Sequence, residues 1–369
     1  MEYGTGFAFW SADSARDSRE LAELSSRGTR RDGSGLLLDS SAATRSPRHE
    51  DGEALMAEVF SPDIRSGFEA TEAIPSWNTV TPEGSWVEIA VAALGTEGWT
   101  RWYEMGTWAS TAFPRISRSV SGQRDEDAAV STDTLVLAWP AKAFRLRARL
   151  FALPGVEGTS LQGLGLSWST SKPARGTNPV GSPAGLRNRI LAEVPAWSQM
   201  VYPEGGKVWC SPVSLAMVMA YWQGRDSGRL PDEESFIRRT VAGVYDHDYE
   251  GHGNWSFNAA WAGEQGLVAR VRRHSSLAQL EPWIDAGVPL ILSLSWNKDE
   301  GRPLSGTPID SSRGHLTTLV GFDGSGDPVM NEPAAPDDAS VRRVYPRSEL
   351  EARWLESSGG LAYIVHPRS

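Results

Sequence analysis

The chain has 369 residues and a formal net charge of −10 at pH 7, with 40% hydrophobic and 22% charged residues. This length exceeds the roughly 100 to 200 residues of one domain, so we expect two domains in an acidic globular protein. The acidic balance argues against nucleic acid as a partner, because phosphate binding needs a basic surface. No apolar run approaches the roughly 20 residues that cross a bilayer, so we expect no membrane insertion.

The single cysteine excludes an intramolecular disulfide and a cysteine-cluster zinc site. We therefore expect no metal and no cofactor. The first residues lack the basic and apolar regions of a secretory signal. The cellular address stays open: cytoplasmic by default, extracytoplasmic if a leader was removed.

The first half of the chain has a β pattern. Short alternating segments rich in β-branched and aromatic residues are separated by glycine-containing turns. This pattern predicts an antiparallel, β-sandwich-like accessory domain over residues 1–168. Its predicted strands cover residues 54–60, 86–92, 100–108, 134–139 and 144–151.

This accessory domain is rich in tryptophan, and two interpretations of that richness compete. Tryptophans displayed on one face stack on sugar rings and would make a cell-surface glycan a partner, whereas inward-facing ones fill a core or an interface. Tryptophan alternates with charged residues between Trp99 and Glu104, as expected of a strand with one buried side. The alternation favours the core, and glycan binding remains the alternative.

Residues 169–189 contain several prolines and glycines without hydrophobic periodicity, which predicts a linker. Residues 190–369 then form the second predicted domain, in which helices precede an antiparallel sheet. That order is typical of an α+β fold. The predicted helices cover residues 210–222, 232–240, 258–265 and 277–286, and the predicted strands cover 289–296, 315–322, 328–331, 341–345 and 361–365.

Cys210 stands where a turn becomes an apolar helical run. A thiol at a helix start meets unsatisfied backbone N–H groups and the positive end of the helix dipole, and both favour the thiolate. The placement suggests a nucleophile. The alternative is a small buried hydrophobic residue, since free cysteine is among the most buried residue types.

A partner for the thiol is found on a predicted hairpin. His315 begins one strand and Asn331 ends the next, so Asn331 is expected to accept a ring proton of His315 and fix its tautomer. A cysteine nucleophile needs such a base, and the base needs an orienting group. Glu332 would take that place if the register shifted by one, although neighbours on a strand point to opposite faces. Asp323 is a more distant alternative.

Several separated motifs carry a resemblance to a known family. The segments 194–199, 210–217, 314–316 and 329–333 closely resemble the papain-like cysteine peptidases of the bacteriocin-leader-processing type. They are most similar to stand-alone relatives with an N-terminal β domain. No phosphate-binding loop of an ATP-binding cassette is present, so a transporter within this chain is not expected.

The resemblance implies a role for four residues. Cys210 is the implied nucleophile, His315 the general base and acid, and Asn331 the orienting group, where leader-processing members often use aspartate. Gln199 is implied as a donor to the oxyanion, together with the Cys210 amide.

The sequence thus predicts a papain-like thiol hydrolase that cleaves a peptide or related amide bond through an acyl-enzyme. Two alternatives remain: a non-catalytic glycan- or protein-binding module, and acyl transfer or isopeptide chemistry at the same site. The run from Asp246 to His252 has the residue types of a metal site, but its spacing matches no standard zinc motif, and we interpret it as a solvated loop beside the cleft.

Overall fold

The computed structural model describes residues 3–13, 17–46, 53–173 and 182–368. The chain forms two compact units. The β-rich unit consists of Gly6–Thr170, Tyr245–Val271 and Pro367–Ser369; the cysteine unit consists of Met1–Thr5, Ser171–Val244 and Arg272–His366. The predicted boundaries differ from this division, because residues 245–271 group with the β-rich unit. The predicted linker falls partly on residues 174–181, which lie outside the described residues.

The strands of the first half form one hydrogen-bonded network of 13 strands, in which the path β10-β9-β12-β8-β13-β1-β2 is central. The strands are β1 Thr5–Ser11, β2 Arg19–Glu20, β3 Ser25–Arg27, β4 Thr29–Asp32, β5 Gly35–Leu38, β6 Thr44–Ser46, β7 Ala54–Phe60, β8 Ile64–Val80, β9 Ser85–Leu94, β10 Tyr103–Trp108, β11 Ala128–Ser131, β12 Thr134–Ala152 and β13 Ser160–Ser169.

The network differs from the predicted sandwich in its longest strands. The predicted strands 134–139 and 144–151 are one strand, β12, whose first part pairs with β11 and whose second part pairs with β7 and β9. β8 changes partner in the same way, from β12 to β13. Long strands that change partners join what would otherwise be two separate sheets, so alternation within short segments predicted the strands but not their continuity.

The helix α3, Trp255–Glu264, belongs to the β-rich unit. The Phe257 ring packs edge-on against Trp77 and Trp108, with ring centroids 6.0 and 5.4 Å apart. At the other end of α3, the Glu264 carboxylate accepts hydrogen bonds from the Thr81 hydroxyl at 2.6 Å and from Trp108 Nε1 at 3.1 Å. These contacts explain why this stretch joins the first half of the chain.

The tryptophans of this unit fill its core. Trp77, Trp86 and Trp108 are at most 2% exposed. Two half-buried rings are covered by guanidinium groups: Arg145 lies 4.1 Å from the Trp99 centroid and Arg147 lies 4.8 Å from the Trp102 centroid. A cation over the ring occupies the face on which a sugar would stack. The contacts favour the core interpretation and give no support to glycan binding.

The cysteine unit combines helices with an antiparallel sheet of order β20-β16-β17-β18-β19, in which β14 also pairs with β17. Its helices are α1 Cys210–Ser227, α2 Glu233–Gly243, α4 Glu281–Asp285 and α5 Arg347–Ser358, and its strands are β14 Arg189–Ile190, β16 Leu290–Asn297, β17 Ser311–Phe322, β18 Pro328–Asn331, β19 Arg342–Val344 and β20 Leu361–His366. The strand β15, Val268–Arg273, crosses the boundary between the units along the chain. Neither α5 nor β15 was predicted.

The helix α1 is held firmly inside the cysteine unit. Every residue from Ser211 to Tyr221 is buried. Ser214 Oγ donates to the Leu316 carbonyl of β17, and Trp222 Nε1 donates to the Val365 carbonyl of β20. The helix ends at Ser227, beyond its predicted end at residue 222, and Gly228 caps it with a φ of 72°. This φ lies in the left-handed region, which favours glycine at the end of a helix. No helix in the described part of the chain is long and apolar enough to cross a bilayer.

Candidate active site

Cys210 is the first residue of α1 and is half-buried. The His315 side chain and the Leu316 amide of β17 both act on its thiol. Burial and the Glu332 charge would raise the pKa of the thiol, but the His315 imidazole, together with the Leu316 amide, holds that pKa below its ordinary value. The site therefore favours a thiolate at the start of the helix.

His315 lies on β17 and is 3% exposed. Its Nε2 is 2.5 Å from Oε1 of Glu332, which leaves Nδ1 for the thiol. Burial lowers the pKa of His315, but the Glu332 charge and the Cys210 thiol outweigh burial and raise it to about 10. The Trp296 ring packs edge-on against the imidazole, with centroids 5.3 Å apart. The imidazole is thus shielded from water and held between a thiol and a carboxylate.

Glu332 is fully buried. Its carboxylate accepts hydrogen bonds from His315 Nε2, from the Ala334 amide at 2.9 Å and from Tyr345 Oη at 3.0 Å. Burial raises the pKa of this carboxyl, but the charge and hydrogen bond of His315 and the two other donors lower it overall. A buried carboxylate of this kind stays ionised because its charge is compensated.

The predicted hydrogen bond between Asn331 and His315 is not formed, and this prediction is corrected. Among the described residues, Asn331 Nδ2 donates to the Pro195 carbonyl at 2.8 Å, and Asn331 Oδ1 accepts from Arg342 Nε at 3.1 Å. The group beside the imidazole is Glu332, the alternative that a shift of one residue would produce.

A β-bulge causes this shift of register. Near the turn, Gly321 pairs with Val329, and continuing that register would place Asn331 opposite Leu319, on the same face as His315. The register changes between Leu319 and Gly321, so that Asn331 pairs with Thr318 instead. Because side chains alternate between faces, Asn331 then points away from the His315 face and Glu332 points toward it.

Gln199 lies in a short 3-10 turn, Gln199–Val201, and is 3% exposed. Its Nε2 donates to the Gly206 carbonyl at 2.9 Å. Its Oε1 is buried and has no hydrogen-bond partner among the described residues. The structure therefore shows no hydrogen bond between Gln199 and Cys210, and the predicted oxyanion role stays a prediction.

The segment that carries Gln199 is docked on the loop that follows Glu332. The Gln199 amide donates to the Pro333 carbonyl at 2.8 Å, and the Ser198 amide donates to Asp338 Oδ1 at 2.7 Å. Asn331 secures the same segment through Pro195. Asn331 thus holds a neighbouring backbone segment in place and is not hydrogen-bonded to His315.

The run from Asp246 to His252 belongs to the β-rich unit, and part of its prediction is corrected. Asp246 is fully buried rather than solvated. Its carboxylate accepts from the amides of Ser119, Asp248 and Tyr249 and from Asn254 Nδ2. These donors satisfy the carboxylate, and no group of three or more His, Cys, Asp or Glu residues in the described ranges is placed to hold a metal ion.

Sequence reasoning missed two residues of this site. Tyr345 and Trp296 were seen only as strand residues, because nothing in the spacing ties either one to His315. Glu332 is only the alternative to Asn331 in the sequence, since the bulge that turns it toward His315 has no sequence signal.

Comparison with known proteins supports the family resemblance. Residues 11–169 match the family model described as the peptidase C39 N-terminal domain, and residues 191–361 match the peptidase C39-like family. No match to a curated protein sequence is significant.

Solved structures give weaker likenesses. A candidate C39-like peptidase from Bacillus anthracis is 17% identical with a TM-score of 0.33, and the match covers 49% of this chain and 98% of that chain. The K1 cleaved adhesin domain of Lys-gingipain from Porphyromonas gingivalis is 12% identical with a TM-score of 0.20, and the match covers 46% of this chain and 99% of that one. Since two models of one peptidase family match successive parts of the chain, the chain belongs to the C39-type peptidases and carries their N-terminal domain beside the C39-like domain.

Proposed function

We propose that this chain is a papain-like cysteine peptidase that hydrolyses a peptide bond through an acyl-enzyme on Cys210. The observation that carries the proposal is the buried His315 imidazole, whose Nε2 is 2.5 Å from the Glu332 carboxylate and which also acts on the Cys210 thiol. A nucleophile, a base and an orienting acid in that order are the parts that acyl transfer requires.

The pKa of Cys210 is lowered and that of His315 is raised, and both shifts favour a thiolate beside an imidazolium over a neutral thiol and imidazole. Glu332 supplies the negative charge that stabilises the imidazolium. A nucleophile that ionises more readily than an ordinary thiol is what this chemistry needs.

Hydrolysis then follows in two balanced stages. Cys210 Sγ attacks the carbonyl carbon, and as the tetrahedral intermediate collapses the C–N bond breaks while His315 gives its proton to the leaving amine. In the second stage His315 takes a proton from water, the hydroxide attacks the thioester, and the C–S bond breaks to release the acid and the thiolate.

The oxyanion needs donors near Cys210. The Cys210 amide and Gln199 are our candidates, each worth typically about 3 kcal/mol in the transition state. Gln199 Nε2 donates to Gly206 in the free protein, so this role requires the amide to turn toward the substrate. Turning would also release the buried, unpaired Oε1 from its present position.

The substrate class is a peptide or protein, as membership of this peptidase family implies. Exposed apolar side chains flank the nucleophile along the chain: Met200 and Val201 follow Gln199, and Val208 precedes Cys210 by two residues. Exposed apolar groups beside a reactive centre suit the side chains of an extended peptide.

Replacing the nucleophile tests this function. The C210A variant should lose all hydrolysis of a complex peptide library read by mass spectrometry, and the wild-type chain should be alkylated by iodoacetamide much faster at neutral pH than a free thiol. The variant C210S controls for the loss of side-chain volume. Hydrolysis that survives in C210A, or alkylation at the rate of an ordinary thiol, would reject the proposal.

A further inference from the structure

The two oxygens of the Glu332 carboxylate have different surroundings. Oε1 accepts from His315 and from the Ala334 amide, whereas Oε2 accepts, among the described residues, from Tyr345 Oη alone, at 3.0 Å. Both Glu332 and Tyr345 are 0% exposed. Without the Tyr345 hydroxyl, Oε2 would be a buried anionic oxygen with no donor, which is a costly arrangement.

Tyr345 is held in place by groups that take no part in the reaction. It follows β19 directly, and its amide donates to the Pro328 carbonyl at 3.1 Å. Its ring lies over Gly306, where an added Cβ would come within 3.5 Å of a ring carbon. Burial and the charge of Glu332 both raise the pKa of Tyr345, so the phenol keeps its proton and remains a donor.

Few ionisable groups act on this carboxylate. His315 approaches Glu332 from β17 and Tyr345 approaches it from the residue after β19, and the charges of Glu332 and the Cys210 thiolate repel each other directly. The positive charge of Arg343 lowers the pKa of Tyr345, whereas the negative charge of Glu332 raises it. Of the two side chains that donate to Glu332, only His315 therefore belongs to the proposed reaction.

We propose that Tyr345 is a positioning residue of this site: its hydroxyl donates to Oε2 of Glu332 and keeps the carboxylate ionised and aimed at His315. The proposal rests on the proposed function and adds Tyr345 to the side chains that it requires. Without the hydroxyl, Glu332 takes up a proton more readily. The proton that it shares with His315 then lies closer to the carboxylate, so the thiolate loses part of the imidazolium charge that stabilises it.

The test uses the pH dependence of iodoacetamide alkylation, which needs no substrate and reports a single thiol because the chain has one cysteine. In Y345F the acid limb of the alkylation profile should move to higher pH by about one unit, with a loss of up to about tenfold in rate on that limb. The matched control is Y221F, which removes another buried hydroxyl, bonded to the Gly287 carbonyl at 3.0 Å. Y221F should leave the profile unchanged.

A second variant guards against misfolding of Y345F. Replacing Tyr345 with 3,5-difluorotyrosine keeps the ring and makes the phenol a stronger donor, so the acid limb should move to lower pH. Profiles of both variants that coincide with the wild type would overturn the role of Tyr345. If C210A is inactive and E332Q is impaired while Y345F behaves as wild type, this inference fails alone; if C210A stays active, the proposed function fails.

Discussion

Two glutamates, the half-buried Glu264 and the fully buried Glu332, lie one in each unit and have nearly the same number of hydrogen-bond donors, but their pKa values shift in opposite directions. Glu264 of the β-rich unit accepts from the hydroxyls of Thr79 and Thr81, the Thr81 amide and Trp108 Nε1. Glu332 of the cysteine unit accepts from an imidazole, an amide and a phenol. Burial outweighs the donors of Glu264 and raises its pKa, whereas the pKa of Glu332 is lowered.

The difference lies in one charged partner. The donors of Glu264 are neutral, so its hydrogen bonds anchor α3 to the sheet but do not offset the cost of a buried charge. His315 can carry a positive charge, and that charge keeps Glu332 ionised. A carboxylate that accepts several hydrogen bonds is therefore not by itself a sign of catalysis; a titratable partner beside a candidate nucleophile is the more informative feature.

The largest expected effect comes from neutralising each glutamate in turn. E332Q should lower the rate of hydrolysis by roughly 10²- to 10⁴-fold, because the imidazole loses its counter-charge and its orientation. E264Q should leave hydrolysis unchanged, since its partners only anchor a helix. Steady-state rates of the two variants on the same peptide substrate measure this, and equal losses would remove the distinction between the two carboxylates.

The pH profile of activity in E332Q shows in which direction Glu332 changes the pKa of His315. Activity requires the imidazolium, so it falls as pH rises through the pKa of His315, about 10 in the wild type. Since the Glu332 charge raises that pKa, the alkaline limb of E332Q should move to lower pH. An alkaline limb that stays in place would mean that Glu332 does not act on His315.

Replacing Asn331 should have a smaller effect and a different character. N331A removes a buried donor to Pro195 and an acceptor for Arg342, so the free energy of unfolding should fall by about 1 to 3 kcal/mol. The acid limb of the alkylation profile and the alkaline limb of the activity profile should both stay where they are. Urea denaturation and the two pH profiles together measure this, and a move of the alkaline limb to lower pH, as expected of E332Q, would restore Asn331 as the orienting group.

The smallest expected effect is on the pH dependence of stability. The ordinary glutamate pKa is 4.5, and Glu332 titrates below it in the folded state whereas Glu264 titrates above it. The contribution of Glu332 to the free energy of unfolding is therefore present above pH 4.5 and is lost as pH falls through its lowered pKa. The contribution of Glu264 to the same free energy is present below pH 4.5 and is lost as pH rises through its raised pKa.

Unfolding curves at several pH values test these opposite signs. As pH falls below 4.5, the difference in free energy of unfolding between wild type and E332Q should shrink. As pH rises above 4.5, the wild type should lose stability relative to E264Q. If the wild type lost stability relative to both variants on the same side of pH 4.5, the comparison would be contradicted.

Local patterns predicted much of the cysteine unit. The start of α1 at Cys210 follows from the apolar run after a turn, and the β17–β18 hairpin follows from two strand-like segments around glycine. The exact bounds of β18 were also predicted. Signals of this kind depend on residues close together in the chain, and those residues are what a sequence pattern records.

The sequence by itself determined the family, the single thiol and its helix. It also determined that the strand carrying His315 pairs with a strand that ends at Asn331, just before Glu332. Only the tertiary structure decided which of these two neighbours meets His315, because one bulge reverses the faces of every residue beyond it. It also decided that Tyr345 reaches Glu332 and that α3 joins the β-rich unit. These contacts join distant residues in space, and their energies depend on burial and charge that no local pattern contains.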